Sequence, residues 1–303
     1  MKRHLIMLLL ACACSSAAWA YEEETQLQLG QLRLEITSSN TVEVTHGGVE
    51  FEKSMPEDEY HGQWDDENVW WYEGEYTVYG IRNNYPNLTS VNIPPYVSYN
   101  GRTYRVSSIA DYAFYGCSRL SSVTIPNTVE YVGKLSFFGC RSLTSITLPN
   151  SVKRIGYEAF LNCESLISIN LPTVIEWVGY GIFDGTAYYN SLPNGPIYIH
   201  DIFYGYKGDI PARAQINIRE GTYKINGFAF NSCPSLVAVS IPTSVKLIED
   251  GAFIGCPSLT RLYYKGTLAE WEMIEKEDGM DGWAPEQTYA VYCTDGVVYS
   301  NDF

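Results

Sequence analysis

The sequence predicts a mainly β repeat solenoid, in which 23-residue coils stack so that equivalent strands lie side by side. Three observations predict it. Phe114, Phe137, Phe160 and Phe183 are each 23 residues apart, and Phe230 and Phe253 resume that interval after a gap of 47. Two more ladders keep step: Ile109, Val132, Ile155, Val178, Ile225 and Ile248, then Leu120, Leu143, Leu166, Leu236 and Leu259. Proline recurs in the same phase at Pro126, Pro149, Pro172 and Pro242. A fixed period of about 20 to 50 residues marks units that cannot bury a core alone and must stack to do so.

Composition agrees. Of the 303 residues, 46% are hydrophobic and 18% charged, which is enough apolar material for a continuous core and excludes wholesale disorder. Twenty basic against 35 acidic residues leave a net charge of −15. Nucleic acid is therefore not an expected partner, because phosphate binding depends on Lys and Arg neutralising the backbone.

The first element, residues 1–20, has the order of a secretory signal peptide: Lys2 and Arg3, an apolar run from Leu5 to Cys14, then small residues ending Ala18-Trp19-Ala20. Cleavage after Ala20 would remove two basic residues and shift the net charge from −15 to −17. Leu9-Leu10-Ala11-Cys12 resembles a bacterial lipobox, so the alternative is a lipoprotein of the outer membrane anchored through Cys12. No later apolar run approaches the roughly 18 residues of a membrane span. The expected address is exported, either secreted or associated with the cell surface.

Residues 21–90 lie outside the period and hold strand-like runs at Leu32–Ile36 and Thr41–Thr45. They are expected to form a β-rich N-terminal cap, joined to the array through a hairpin around Asn100-Gly101. The array itself spans 91–262. In a unit such as Ile146-Thr147-Leu148-Pro149, apolar and polar residues alternate as in a strand with one buried face. Proline then ends the strand, since it has no N–H for the ladder. The gap of 47 is one residue more than two periods, so residues 187–215 are expected to replace one coil with a hairpin variant. Residues 263–303 read as a helix-plus-hairpin C-terminal cap, with the capping box Thr267 to Glu270 ahead of Trp271 and a turn at Asp295-Gly296.

Cys117, Cys140, Cys163, Cys233 and Cys256 share one repeat position, three residues after the Phe, and Thr186 takes that place in the fourth unit. Free cysteine packs as a small apolar group, so these five are expected to form a buried structural ladder; parallel Cβ vectors disfavour systematic disulfides. Cys293 lies outside the register.

The pattern Ile-Pro-x-Ser/Thr-Val-x-x-Ile-x-x-x-Ala-Phe-x-x-Cys-x-x-Leu-x-x-Ile-x-Ile-Pro is met best from Leu148 to Pro172 and from Ile218 to Pro242. It resembles the BspA-like leucine-rich repeat family over residues 91–262. The common leucine-rich repeat pattern is met only in part: Leu143, Ile146 and Leu148 fit, but Ser151 stands in the Asn slot and Val152 comes one position early. The resemblance implies a right-handed coil in a bacterial, exported protein whose relatives are adhesion or host-interaction molecules. It implies no catalytic residue and no cofactor.

The residues that could carry chemistry lack the spacing it needs. His46, His61 and His200 show no zinc-ligand spacing, and surface histidines are the plainer reading. Glu57-Asp58-Glu59, Asp65-Asp66-Glu67 and the stretch Asp278 to Gly282 lack the alternating pattern of a calcium loop. Lys207-Gly208-Asp209 is a short integrin-like tripeptide of low specificity, and Asn87-Leu88-Thr89 is a glycosylation acceptor by pattern only. Candidate binding residues are the aromatics that the repeat does not require: Tyr112, Tyr131, Tyr157, Trp177, Tyr180 and Phe228. Such side chains suit a protein or sugar surface, and they also suit the plainer task of sheltering neighbouring turns. The leading expectation is a non-catalytic scaffold for an extracellular protein or matrix component. A glycan-binding surface protein is the alternative, and a hydrolase is a minor one because no paired acids recur.

Overall fold

The structure is a computed structural model. It describes residues 87–99, 102–231, 233–276 and 289–299, with the backbone of short strands at Ile6–Leu8, Ala18–Ala20, Gln26–Leu29, Leu32–Ile36, Thr41–Thr45, Trp71–Tyr72 and Glu75–Tyr76. The chain divides into two compact units, residues 1–177 with 181–190, and residues 178–180 with 191–303.

In the first unit, strands of three residues carry the outer face. Ser90–Asn92 pairs in parallel with Ser122–Thr124, and Ser145–Thr147 with Ser168–Asn170. The middle residue of each triplet turns inward and its two neighbours are exposed, as a period of two requires. A second ladder stacks Arg102–Ile109, Tyr131–Val132 and Arg154–Ile155, with Ile109 opposite Val132 and Val132 opposite Ile155. The 23-residue period is thus the register of the parallel pairing. Thr41–Thr45 pairs in parallel with Arg102–Ile109, and Tyr96–Tyr99 pairs with it antiparallel; Asn100 and Gly101 lie outside the described residues.

Inside, Phe114 stacks on Phe137 at 5.2 Å between ring centroids and Phe137 on Phe160 at 5.4 Å. Leu120, Leu143 and Leu166 are fully buried beside them. The cysteine slot holds buried thiols that form no disulfide. Cys140 donates to the Phe114 carbonyl (3.3 Å) and Cys163 to the Phe137 carbonyl (3.0 Å), each one coil back. Thr186 breaks this pattern: its hydroxyl donates to Phe183 O (2.6 Å) and accepts the Tyr189 N–H (3.0 Å). A hydroxyl accepting from the residue three ahead is a helix N-cap. A one-turn helix, Ala187–Ser191, follows, which the sequence reading of this segment as a hairpin alone leaves out.

The coil's return also needs a left-handed residue at a fixed position, two before the core Phe and directly ahead of the Ala-Phe or equivalent pair. Tyr112, Leu135, Glu158 and Gly181 all have φ between +51° and +65° there, and Phe228 and Gly251 repeat it in the second unit. Four non-glycine residues accept that backbone, each against a cost of about 1–2 kcal/mol, so the position selects a conformation and tolerates many side chains.

The second unit contains the expected hairpin. Gly195–Ile199 pairs antiparallel with Ile202–Lys207, which then pairs in parallel with Lys224–Ile225, followed by Leu247–Ile248 and Glu275–Lys276. Phe203 restores the aromatic column here, stacking on Phe230 at 4.9 Å, with Phe230 on Phe253 at 5.4 Å. The outer sheet runs Ala214–Asn217, Leu236–Ile241, Arg261–Tyr264, Ala290–Tyr292 and Val297–Tyr299, the last strand antiparallel. Helix Leu268–Glu272 starts at Thr267 with its capping box to Glu270 in place, and buries Trp271.

Candidate functional site

The six candidate aromatics occupy three repeat positions, and every one is half-buried. Tyr131 and Trp177 precede the core Val of their coils, in the slot that Arg154 fills between them in sequence. The Arg154 guanidinium lies 5.7 Å from the Tyr131 ring and 5.8 Å from the Trp177 ring, a cation held between two aromatics. The Tyr131 hydroxyl donates to Asp111 (3.0 Å), and burial, then the Asp111 carboxylate, push that phenol up. Tyr157 meets Trp177 edge-on at 4.9 Å. Tyr112 sits 6.1 Å from Tyr115, and Tyr180 lies 4.5 Å from Phe228. The structure therefore gathers Tyr131 and Trp177 around Arg154, sets Tyr157 against Trp177 and places Tyr180 with Phe228. Their ring faces are largely spent on one another, as sheltering neighbouring turns requires.

The remaining singled-out residues place as follows. His200 is exposed at the hairpin tip, and Lys207 spends its ammonium on the Leu192 carbonyl. The Asn87 side chain accepts from Arg119 (3.2 Å). Cys233 and Cys256 are buried thiols outside any disulfide and share a hydrogen bond with each other, with Cys256 also meeting Phe230 O (3.1 Å), while Cys293 is half-buried. Ala18 and Ala20 fall in a strand that pairs with Gln26–Leu29. Cys12, His46, His61 and the three acidic stretches lie outside the described residues.

Two features escaped the sequence reading. The first is a buried polar cluster in the second unit. Lys224 and Glu249 form an ion pair with side chains 1% and 3% exposed. Lys224 also donates to the Val178 carbonyl (3.2 Å), and the Gly227 N–H donates to Glu249 (2.9 Å). Asn226 between them is fully buried, and both its side-chain polar atoms lack a partner. The signal was available: Asn226 and Glu249 stand in the repeat position of Gly133 and Gly156.

The second feature is the outer face of the second unit's sheet. One row across the rungs reads Gln215, Ala238, Arg261, Ala290 and Tyr299; the other reads Asn217, Ser240, Tyr263, Tyr292 and Val297. Tyr263 and Tyr292 stack at 5.3 Å. Tyr299 is 53% exposed, Val297 44% and Tyr292 38%. Here too a signal existed, because Tyr263 lies 23 residues after Ser240 on the same face. The corresponding face of the first unit carries exposed Ser122, Thr124, Ser145, Thr147, Ser168 and Asn170. Nothing in either face pairs a nucleophile with a base. Among the described residues no group of three or more His, Cys, Asp or Glu side chains could hold a metal ion, and no helix is long and apolar enough to cross a membrane.

A family model for the BspA type leucine rich repeat region matches in six copies over residues 83–205 and 201–273. Among solved structures the chain is similar to a leucine-rich repeat protein from Bacteroides capillosus ATCC 29799, with 23% identity, TM-score 0.39, and 55% of this chain and 94% of that one covered. The T. pallidum leucine rich repeat protein is similar at 23% identity, TM-score 0.34, with 69% and 87% covered. The pneumococcal vaccine antigen PcpA is similar at 12% identity, TM-score 0.36, with 80% and 82% covered. A comparison with curated proteins finds no match.

Proposed function

The chain belongs to the BspA-type leucine-rich repeat family, and from that premise we propose that it is an exported, non-catalytic scaffold that binds an extracellular protein or matrix partner through the outer faces of its coils. One observation carries this reading. The inward positions repeat the same Phe, Leu, Ile and Cys in coil after coil, whereas the outward strand positions change chemistry between the units, from exposed Ser, Thr and Asn in the first to a mixture that includes exposed Tyr and Arg in the second. A core that is held constant under a face that varies is how a solenoid separates folding from recognition. The basic, apolar and small-residue order of residues 1–20 supports export, with Ala18 and Ala20 before the cleavage point or Cys12 as a lipid attachment. The same logic makes residues 21–90 and 263–303 the caps of the array.

A second reading, a glycan-binding surface protein, is favoured by the exposed tyrosines of the second unit, since aromatic rings beside polar groups suit sugars as well as proteins. The first reading is tested by surface plasmon resonance of the mature chain against a panel of host matrix proteins. Saturable binding to at least one of them is expected. No binding across the panel, or turnover of a polysaccharide by the purified chain, would sink it.

A further inference from the structure

The outer sheet of the second unit differs from the rest of the surface in one respect that points to a ligand. The chain carries 35 acidic residues, yet none of the ten outward positions of this sheet is acidic, and the single charge among them is Arg261. Arg261 is exposed, and its guanidinium has no ion-pair or hydrogen-bond partner among the described residues. Three lysines of the unit are spent: Lys224 on Glu249, Lys265 on Glu220 and Lys207 on a carbonyl.

The shape follows from the register. Ala238 and Ala290 flank Arg261, and Ser240 lies beside Tyr263. These small residues are buried although they point outward, at 3%, 8% and 7% exposure, so the larger side chains beside them lie over them. Arg and Tyr bury an apolar body this way while keeping a polar end in water. The result is a low platform of tyrosine rings with one unpaired guanidinium. Arg261 and Tyr299 are two strand spacings apart, about 10 Å, on a face whose rungs repeat every ~4.8 Å, close to the advance of one sugar ring along an extended glycan.

We propose that this platform binds an acidic polysaccharide built from uronic acids, laid across the rungs. Arg261 takes a carboxylate in the two-pronged geometry that a guanidinium fits. Tyr299 and the Tyr263–Tyr292 stack carry the sugar rings, and Asn217 and Gln215 reach the hydroxyls. Charge complementarity selects the acid: a neutral glycan would leave Arg261 without its partner. The proposal rests on the glycan-binding reading above.

Calorimetry with the mature chain tests it, using polygalacturonate, alginate and hyaluronan as probes, with methyl-esterified polygalacturonate and poly-L-glutamate as contrasts. Binding to at least one uronate polymer is expected, at least about tenfold weaker for Arg261→Gln and for the methyl ester, and weaker for Tyr299→Ala. Tyr96→Ala, an exposed tyrosine of the first unit, should bind as the parent does. No binding to any of the three polymers overturns the site, and the glycan reading falls with it only if neutral polysaccharides such as cellulose and starch also fail to bind. Binding that survives Arg261→Gln and Tyr299→Ala in folded protein overturns the site alone. Binding of the methyl ester as tight as the acid removes the charge argument, and tighter binding of poly-L-glutamate assigns the face to an acidic polypeptide instead.

Discussion

Directly after the core Val or Ile of each coil, the first unit holds Gly133 and Gly156, where the second holds Asn226 and Glu249. The two solutions are physically opposed. A Cβ on Gly133 would stand 2.4 Å from the Ala110 carbonyl carbon, and one on Gly156 would stand 2.3 Å from the Lys134 amide nitrogen, so the coils there approach backbone to backbone. At Asn226 and Glu249 the same position is filled by polar side chains, and Glu249 reaches back to the Gly227 N–H and to Lys224. A repeat can thus keep its period while exchanging a close backbone approach for a buried ion pair, because register is set by the ladder and not by what fills each gap.

The largest test of that contrast is Glu249→Gln. It leaves the Lys224 ammonium buried without its counter-charge, and a loss of about 3–5 kcal/mol in urea unfolding is expected. Replacing both partners, Lys224→Met with Glu249→Leu, should recover most of it; a single variant costing under about 1 kcal/mol would show that the pair is not holding the unit. Next in size, Gly156→Ala should cost about 1–3 kcal/mol by driving the coils apart, whereas Asn226→Ala at the equivalent position should stay within about 1 kcal/mol, since it removes two unpartnered polar atoms along with some packing. Equal losses at the two positions would erase the difference between the units.

The smallest expected effect is alkaline and belongs to the first unit. Burial pushes the Cys117 thiol from 9.0 up to about 12. Burial, then the Asp184 charge, push the Tyr189 phenol from 10.0 up to about 12. Both groups hold their protons more tightly when folded, so the folded chain binds more protons than the unfolded one between about pH 9 and 12. Stability is then fully present below pH 9 and falls as pH rises toward 12. Thermal midpoints across that window should decline less steeply in Cys117→Ala, and an unchanged slope would contradict the assignment.

Much of the fold was legible before any coordinate. The Phe, Leu and Ile ladders became stacked, fully buried columns, the hairpin appeared within residues 187–215, and Thr267 and Glu270 closed their capping box. The helix Ala187–Ser191 was missed because its signal, Thr186 in a cysteine slot, looks like a conservative filler until its hydroxyl is seen capping the Tyr189 N–H. The candidate site was less legible. Tyr112 and Phe228 vary freely in sequence because their position demands a left-handed backbone and little of the side chain. Tyr263 and Tyr292, by contrast, were hidden in strands whose outward positions elsewhere hold Ser, Thr and Asn.

By itself the sequence determined the period, the inward residues and the order of the elements, because each of these is carried by identity at a fixed spacing and needs no knowledge of the neighbouring coil. Which aromatics face solvent, which lysine is buried and which arginine is left unpaired were decided only in the tertiary structure. Exposure and pairing depend on what the adjacent coil places beside a residue: Arg154 is held between Tyr131 and Trp177, whereas Arg261, between two alanines, keeps its charge for a ligand.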